Sequence, residues 1–218
     1  MILNRILELL FPRKCVLCRT ILTGDETDLC RDCRTNVPRF RPGREKIRFV
    51  KEHTAVWYYE DLVRGSLIRY KFYRARHYAP AYGRMTAMAV AKDLPEDIDL
   101  ITYVPVSSRR KRHRGYDQVE LLAEAVSQEL GIPMVPLLKK LRDNPPQSGI
   151  EKAEARRANV LGVYECRNQT RIRGSNILLL DDIITTGATV SECARMLQSA
   201  QAKNVYCAAV AAVRNQKQ

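Results

Sequence analysis

The sequence predicts an α/β fold, a mostly parallel sheet flanked by helices, with a small metal-stapled module at its amino-terminal end. Three observations carry that prediction. From about residue 53 onward, apolar and β-branched runs alternate with helical patterns, as expected of parallel strands joined by crossover helices. The stretch ILLLDDIITTGAT, residues 177–189, ends an apolar run in two carboxylates and turns at once into a helical pattern. Cys15, Cys18, Cys30 and Cys33 stand in a C-x2-C-x11-C-x2-C pattern.

At the amino end, Leu3, Ile6, Leu7 and Leu10 recur at helical spacing and predict a short amphipathic helix over residues 1–11. Arg5 and Glu8 interrupt it and no small-residue cleavage site follows, so it does not read as a signal peptide. A helix packed on the body is favoured over a membrane-surface anchor. In the cysteine module each C-x2-C pair forms a knuckle that supplies two thiolates to a tetrahedral zinc, and four thiolates leave no open position for catalysis. A pair of disulfides is the rival arrangement, and the lack of a secretion signal argues against it. The metal would hold together a module too small to bury a sufficient core alone. Residues 38–51, rich in Arg and Pro, read as a linker or docking strap. The expected division is 1–50 for the amino-terminal helix, zinc module and linker, and 51–218 for the α/β domain.

Within that domain HTAVWYY (53–59) predicts a strand, 62–72 and 79–92 helices, and DLITYVPV (99–106) a second strand. Residues 107–117 read as a basic loop, and 119–130 as a helix closed by Gly131 at the expected C-cap position. Residues 134–138 predict a short strand. The polar stretch 139–158 is long for an α/β connection, as lids and binding loops often are. Strands at 160–166, 176–181 and 205–213 and a helix at 190–202 complete the alternation. Cys166, Cys193 and Cys207 default to small buried hydrophobes, and His53, His77 and His113 show no ligand spacing.

With 218 residues the chain suffices for one α/β domain and a small appendage. Its 45% hydrophobic and 28% charged residues are ordinary for a globular protein. No apolar run approaches the roughly 20 residues of a membrane span, and a cytoplasmic protein is expected. The net charge of +13, from 37 Lys and Arg against 24 Asp and Glu, speaks to partners rather than to fold. Its sharpest cluster, RRKRHR at 109–114, reads either as a solvated face or as a site for an anionic partner such as pyrophosphate or nucleic acid. Tyr70, Phe72, Tyr73, Arg74 and Arg76 have the composition of a single-strand nucleic-acid track, beside the plainer reading of a packed aromatic helix.

The chemistry concentrates around residues 177–189. Open α/β sheets bind ligands at the carboxyl ends of their strands, and a turn opening a helix offers backbone N–H groups to a phosphate. Thr185, Thr186, Gly187, Ala188 and Thr189 form that turn, with a glycine for close approach and hydroxyls as extra donors. Asp181 and Asp182 cannot serve a phosphate but suit sugar hydroxyls or a metal ion beside it. Ser107, Ser108 and Arg109 follow another strand and are placed to steady pyrophosphate, for which arginine offers a planar fork.

Residues 177–189 resemble the phosphoribosyl pyrophosphate (PRPP) motif of type I phosphoribosyltransferases. The resemblance implies that Asp181 and Asp182 hold the ribose and help to organise Mg²⁺, while 185–189 hold the 5′-phosphate. Four amino-terminal cysteines, RGYDQ (114–118), PQSGI (146–150), RRANV (156–160) and the PRPP motif, in that order, resemble the ComF family over nearly the whole chain. Two positions depart from its pattern: Asp117 stands where the family usually has Asn, and Asn144 precedes the proline step where Thr is frequent. The resemblance implies a type I phosphoribosyltransferase-like sheet, a zinc ribbon, PRPP with Mg²⁺ as ligand, and a cytoplasmic role with incoming single-stranded DNA and other competence proteins during transformation. It names no acceptor. An active phosphoribosyltransferase with Asp181 and Asp182 at its catalytic centre, a DNA-binding accessory factor and a non-catalytic PRPP sensor all remain open, because fold does not settle function.

Overall fold

Why strand, helix and knuckle assemble as they do is visible in a computed structural model, which describes residues 12–43, 46–142 and 162–214. Four parallel strands form the sheet in the order β1-β6-β5-β2. These are β1 (His53–Tyr58), β2 (Leu100–Tyr103), β5 (Asn176–Ile184) and β6 (Asn204–Ala212). β5 and β6 lie inside the sheet, and their runs of Ile, Leu, Val and Ala are buried on both faces, as parallel strands require. Successive side chains alternate between the faces. Leu178 and Leu180 enter one core with Tyr206 and Ala208, whereas Ile177 and Leu179 enter the other with Cys207 and Ala209.

Helices cover both sides. The first face carries α2 (Asp61–Phe72), α3 (Ala79–Asp93) and α5 (Gln118–Leu130). α3 and α5 approach closely because Gly83 has no side chain; a Cβ there would lie 2.4 Å from that of Ala125. The second face carries α7 (Ala188–Ser199), the four-residue α6 (Gln169–Ile172) and a two-stranded antiparallel ribbon of β3 (Leu138–Lys140) and β4 (Tyr164–Cys166). The expected strand at 134–138 is displaced: Met134 makes a single parallel bridge to Ile101, and the strand itself begins at Leu138. A leucine and two lysines pair there because β4 supplies the partner, which local sequence does not reveal. β5 also continues past the predicted end at Asp181 to Ile184.

The cysteine module packs on the first face. Cys15, Val16, Leu17, Leu22, Leu29, Cys30 and Cys33 are buried in the same cluster as Val63, Leu67 and Tyr82. Its short helix α1 (Arg31–Asn36) leads into the strap. The joint is polar as well as apolar. Arg69 of α2 donates from Nη2 to the carbonyls of Leu17 (2.6 Å) and Val16 (3.2 Å), inside the first knuckle. The Ser66 hydroxyl donates to Val16 O and shares a 2.6 Å bond with the Tyr82 hydroxyl. The strap is docked rather than loose: Phe40 N–H donates to Val56 O, Lys51 N–H donates to Val205 O, and Ile47, Phe49 and Val50 pack on the second core. No helix among the described residues is long and apolar enough to cross a membrane. The expected helix at 1–11, and everything after Arg142 in the expected lid, lie outside the described residues.

Candidate functional site

The site is built where β5 meets α7. Because side chains alternate along β5, its two carboxylates leave opposite faces of the strand and meet different surroundings. Asp182 is buried and fully engaged: Lys71 Nζ lies 2.8 Å from Oδ1, and Gln118 Nε2 donates to Oδ2 at 2.8 Å. Gln118 is itself held, its Oε1 accepting from Arg114 Nη1 (2.7 Å) and its carbonyl from the Tyr70 hydroxyl (2.6 Å). The Tyr116 hydroxyl donates to Tyr70 O, and the Arg114 guanidinium lies 4.8 Å from the Phe72 ring centroid. Tyr70, Lys71 and Phe72 of α2 and Arg114, Tyr116 and Gln118 thus form one network ending on Asp182. Residue spacing gave no sign of the Lys71–Asp182 pair, whose members are more than a hundred positions apart. The available signals were the basic-aromatic end of α2 and the RGYDQ stretch.

Asp181 is partly accessible, and its Oδ1 accepts the N–H of Asp182 at 2.8 Å. Burial among the surrounding groups, and after it the charge of Asp182, push the Asp181 carboxyl up to about 8 against the pull of Lys71.

After Ile184 the chain turns through Thr185 and Thr186, both exposed, into Gly187. Gly187 is the N-cap of α7 with φ +70°, a conformation costly for any residue with a Cβ. A Cβ there would also lie 3.2 Å from Ile47 of the strap, so the turn and the docked strap both need glycine. Ala188 and Thr189 open the helix, and the cap makes no side-chain hydrogen bond. The first-turn N–H groups of a helix lack intrahelical partners and suit a phosphate.

Residues 107–117, expected as a loop, contain a helix, α4 (Ser108–Arg114). Ser107 caps it by accepting from Arg110 N–H (3.3 Å), and Gly115 closes it at φ +82°. Ser107 is buried, while Ser108 and Arg109 are exposed on the first turn. Val104 N–H bonds Leu180 O, which brings the end of β2, and so the start of α4, beside Asp181. Asp117 is not a charge aimed at a ligand. It is buried and caps α5, its Oδ1 accepting from Val119 N–H (2.9 Å) and Glu120 N–H (3.3 Å) and its Oδ2 from Val106 N–H (2.9 Å). Burial nevertheless raises its pKa above the ordinary value.

In the amino-terminal module the sulfurs of Cys15, Cys18, Cys30 and Cys33 all lie within 4.8 Å of one another. A tetrahedral site with Zn–S bonds of about 2.3 Å has sulfurs about 3.8 Å apart, so the four cysteines fit zinc with little movement. Arg19 follows the first pair at φ +71°, completing the knuckle turn.

The comparisons agree with this architecture. Residues 120–218 match the phosphoribosyl transferase domain family, and residues 6–44 match the double zinc ribbon family. Competence protein ComFC of Bacillus subtilis is 28% identical over 169 residues, covering 78% of this chain and 65% of that protein. Competence protein F of Haemophilus influenzae is 26% identical over 217 residues, covering 86% of this chain and 92% of the other. These matches support a ComF-family protein. A DNA utilization protein of Escherichia coli K12 is 29% identical over 147 residues, with 63% of this chain and 62% of that one covered. Among solved structures, a glutamine PRPP amidotransferase from B. subtilis aligns at 20% identity and a TM-score of 0.43 over 64% of this chain and 30% of that one. The zinc-ribbon match falls on the four-cysteine cluster, and the phosphoribosyl transferase match contains β5 and the turn into α7.

Proposed function

We propose that this protein binds PRPP with Mg²⁺ at the carboxyl end of β5 and acts in the cytoplasm as an accessory factor in DNA uptake, with single-stranded DNA as its partner. The observation that carries the reading is the Gly187 turn, which delivers the amino end of α7 immediately beyond two carboxylates. In this reading 1–50 is the structural module and 51–218 the ligand-binding part. The first-turn amides of α7, with Thr185, Thr186 and Thr189, take the 5′-phosphate. Asp181 and Asp182 meet the ribose from opposite faces of β5, and Ser108 and Arg109 steady the pyrophosphate. Mg²⁺ commonly uses one or two carboxylates together with substrate phosphates. Both Asp182 oxygens already have protein partners, so Asp181 is the freer carboxylate to hold the ion, which would supply positive charge against the pyrophosphate. The names of the relatives, competence proteins and a DNA utilization protein, support the DNA-uptake role.

For the DNA partner the structure offers exposed Phe72 (62%) and Tyr73 (73%) beside Arg74 and Arg76, with the basic α4 nearby. Tyr70 is fully buried and drops out as a stacking platform. A catalytic reading, attack by a nitrogen nucleophile at C1 with loss of pyrophosphate, uses the same residues, with Asp181 and Asp182 orienting the ribose.

Calorimetry of PRPP with and without Mg²⁺, run beside an assay for pyrophosphate release in the presence of single-stranded DNA, tests all of this. Mg²⁺-dependent binding lost in Asp181→Ala is expected. Absence of PRPP binding at millimolar concentration would sink the reading. Binding without release assigns a sensor, and release assigns an enzyme.

A further inference from the structure

On the β1 side of the same sheet edge lies a second basic site that no sequence motif marks. A cavity of about 380 Å³ opens between the end of α1, the strap, β1 and the residues after β6. Arg34, Arg39, Arg41 and Arg214 line it, and its lining contains no carboxylate. The run at 109–114 is basic by adjacency alone. Here folding collects guanidinium groups from three separate parts of the chain. Arg34 comes from the last turn of α1, Arg39 is fixed by an antiparallel bridge to Trp57, and Arg214 follows β6.

Two of these arginines are held in place by aromatic rings. The Arg39 guanidinium lies 5.2 Å from the Trp57 centroid, and that of Arg214 lies 3.9 Å from the Tyr58 centroid. A guanidinium lying on a ring keeps its N–H edge available for an oxyanion. Arg214 also pairs with Glu60 at 3.1 Å, the one ion pair formed by any of the four among the described residues. Burial, and then the nearby Arg34 charge, hold Arg39 below the usual guanidinium pKa, as expected where like charges gather.

We propose that this pocket is a phosphate-binding site, separate from the end of β5, that takes a phosphodiester of single-stranded nucleic acid or a free oligophosphate. Arginine forks match the geometry of phosphate oxygens, and a cavity of this size suits a small polar group rather than a folded partner. Position links it to the first site. Tyr59 N–H bonds Ala212 O, and Val213 N–H bonds Ile184 O, so the residue before Arg214 is tied to the residue before Thr185. With neighbouring strands about 4.8 Å apart, β1 stands roughly 10 Å from β5 along one edge. A single strand lying on that edge would place phosphates over both sites, whereas an oligophosphate would fill the pocket alone. The nucleic-acid arm rests on the DNA-uptake reading; the oligophosphate arm does not.

The test uses the full chain, inorganic tripolyphosphate and a labelled oligothymidylate. The pocket variant is Arg34→Gln with Arg41→Gln, both positions exposed. The control is Arg171→Gln with Arg173→Gln, which has the same net charge and lies before β5 at the opposite edge. Trp57 is the only tryptophan, and Arg39 lies on its ring, so its emission reports the pocket directly. Tripolyphosphate is expected to shift that emission in the wild type and the control, and to bind at least tenfold more weakly to the pocket variant. For the oligonucleotide, the slope of log affinity against log salt is expected to fall by about 1.4 in the pocket variant alone, from about 0.7 per lost phosphate contact. Arg39→Lys, which keeps the charge but removes the fork, should weaken the same ligand. Selective loss of either ligand supports the proposal and identifies its source. Equal binding by pocket and control variants, or no binding of either ligand to the wild type, overturns it. PRPP calorimetry on the same proteins reads the β5 site separately.

Discussion

The cysteine knuckles and the carboxyl end of β5 both crowd together groups of like charge, and they resolve the crowding differently. In the knuckles four thiols converge from two short segments, and one divalent ion would satisfy all of them at once. At β5 the partners come from the protein and are unevenly shared. Asp182 takes Lys71 and Gln118, whereas Asp181 accepts one backbone amide and is left with a raised pKa. A closed set of identical donors builds a permanent staple. A pair in which one member is satisfied and the other is not leaves room for an exchangeable ligand, as the proposed PRPP site requires.

The largest expected effect lies in the staple. The protein should carry a single zinc, and Cys33→Ser or exhaustive chelation should remove it. Structural zinc in small modules is worth on the order of 10 kcal/mol of binding free energy, so the melting temperature should drop steeply and amides near Val16 should lose protection from hydrogen exchange. An unchanged melting curve after complete metal removal would erase the contrast between the two regions. Next comes Asp182→Ala, which strands a mostly buried ammonium and an amide. It should cost about 2–4 kcal/mol in urea unfolding, somewhat under the usual figure for a broken buried pair because Lys71 keeps some solvent contact.

Asp181→Asn should act in the opposite direction. A carboxyl whose folded-state pKa is raised favours the folded state below its unfolded value, and that contribution is lost as pH rises from about 4 towards about 8. Wild-type stability relative to the Asn variant should therefore decline across that window, while the variant loses PRPP binding. Parallel stability curves for the two proteins would contradict the assignment. Gly187→Ala should cost about 1–2 kcal/mol from the left-handed backbone alone, with added displacement of Ile47 and weaker PRPP binding by calorimetry. Smallest of all, Lys111→Ala removes an exposed pair with Glu120 and should change stability by less than about 1 kcal/mol.

Much of this contrast was legible in the residues themselves. The knuckles and the stretch from β5 through Gly187 into α7 are local, so spacing and turn chemistry identify them. What could not be read is long-range. Nothing near Asp182 announces that Lys71 will reach it, and nothing near Arg39 announces Arg214. The task of Asp117 is hidden for a related reason: it accepts two backbone N–H groups at the start of α5 and a third from Val106, which arrives from the end of β2. The helix at Ser108–Arg114 was hidden by its own charge, although Ser107 and Gly115 mark its two ends.

The clamp between α2 and the first knuckle has a consequence for divergence and for engineering. Arg69 and Ser66 recognise the carbonyls of Val16 and Leu17, which every amino acid supplies, and not their side chains. The polar half of the joint therefore survives exchange of those side chains, while its apolar half still requires buried hydrophobic residues at Val16 and Leu17. The same helix carries Lys71 to Asp182. A foreign ribbon grafted onto this sheet must therefore match the backbone path at Val16 and Leu17 as well as the apolar surface that packs on Val63, Leu67 and Tyr82, and a chain trimmed of its ribbon would leave Arg69 and Ser66 without the carbonyls that hold them while Lys71 stays tied to Asp182.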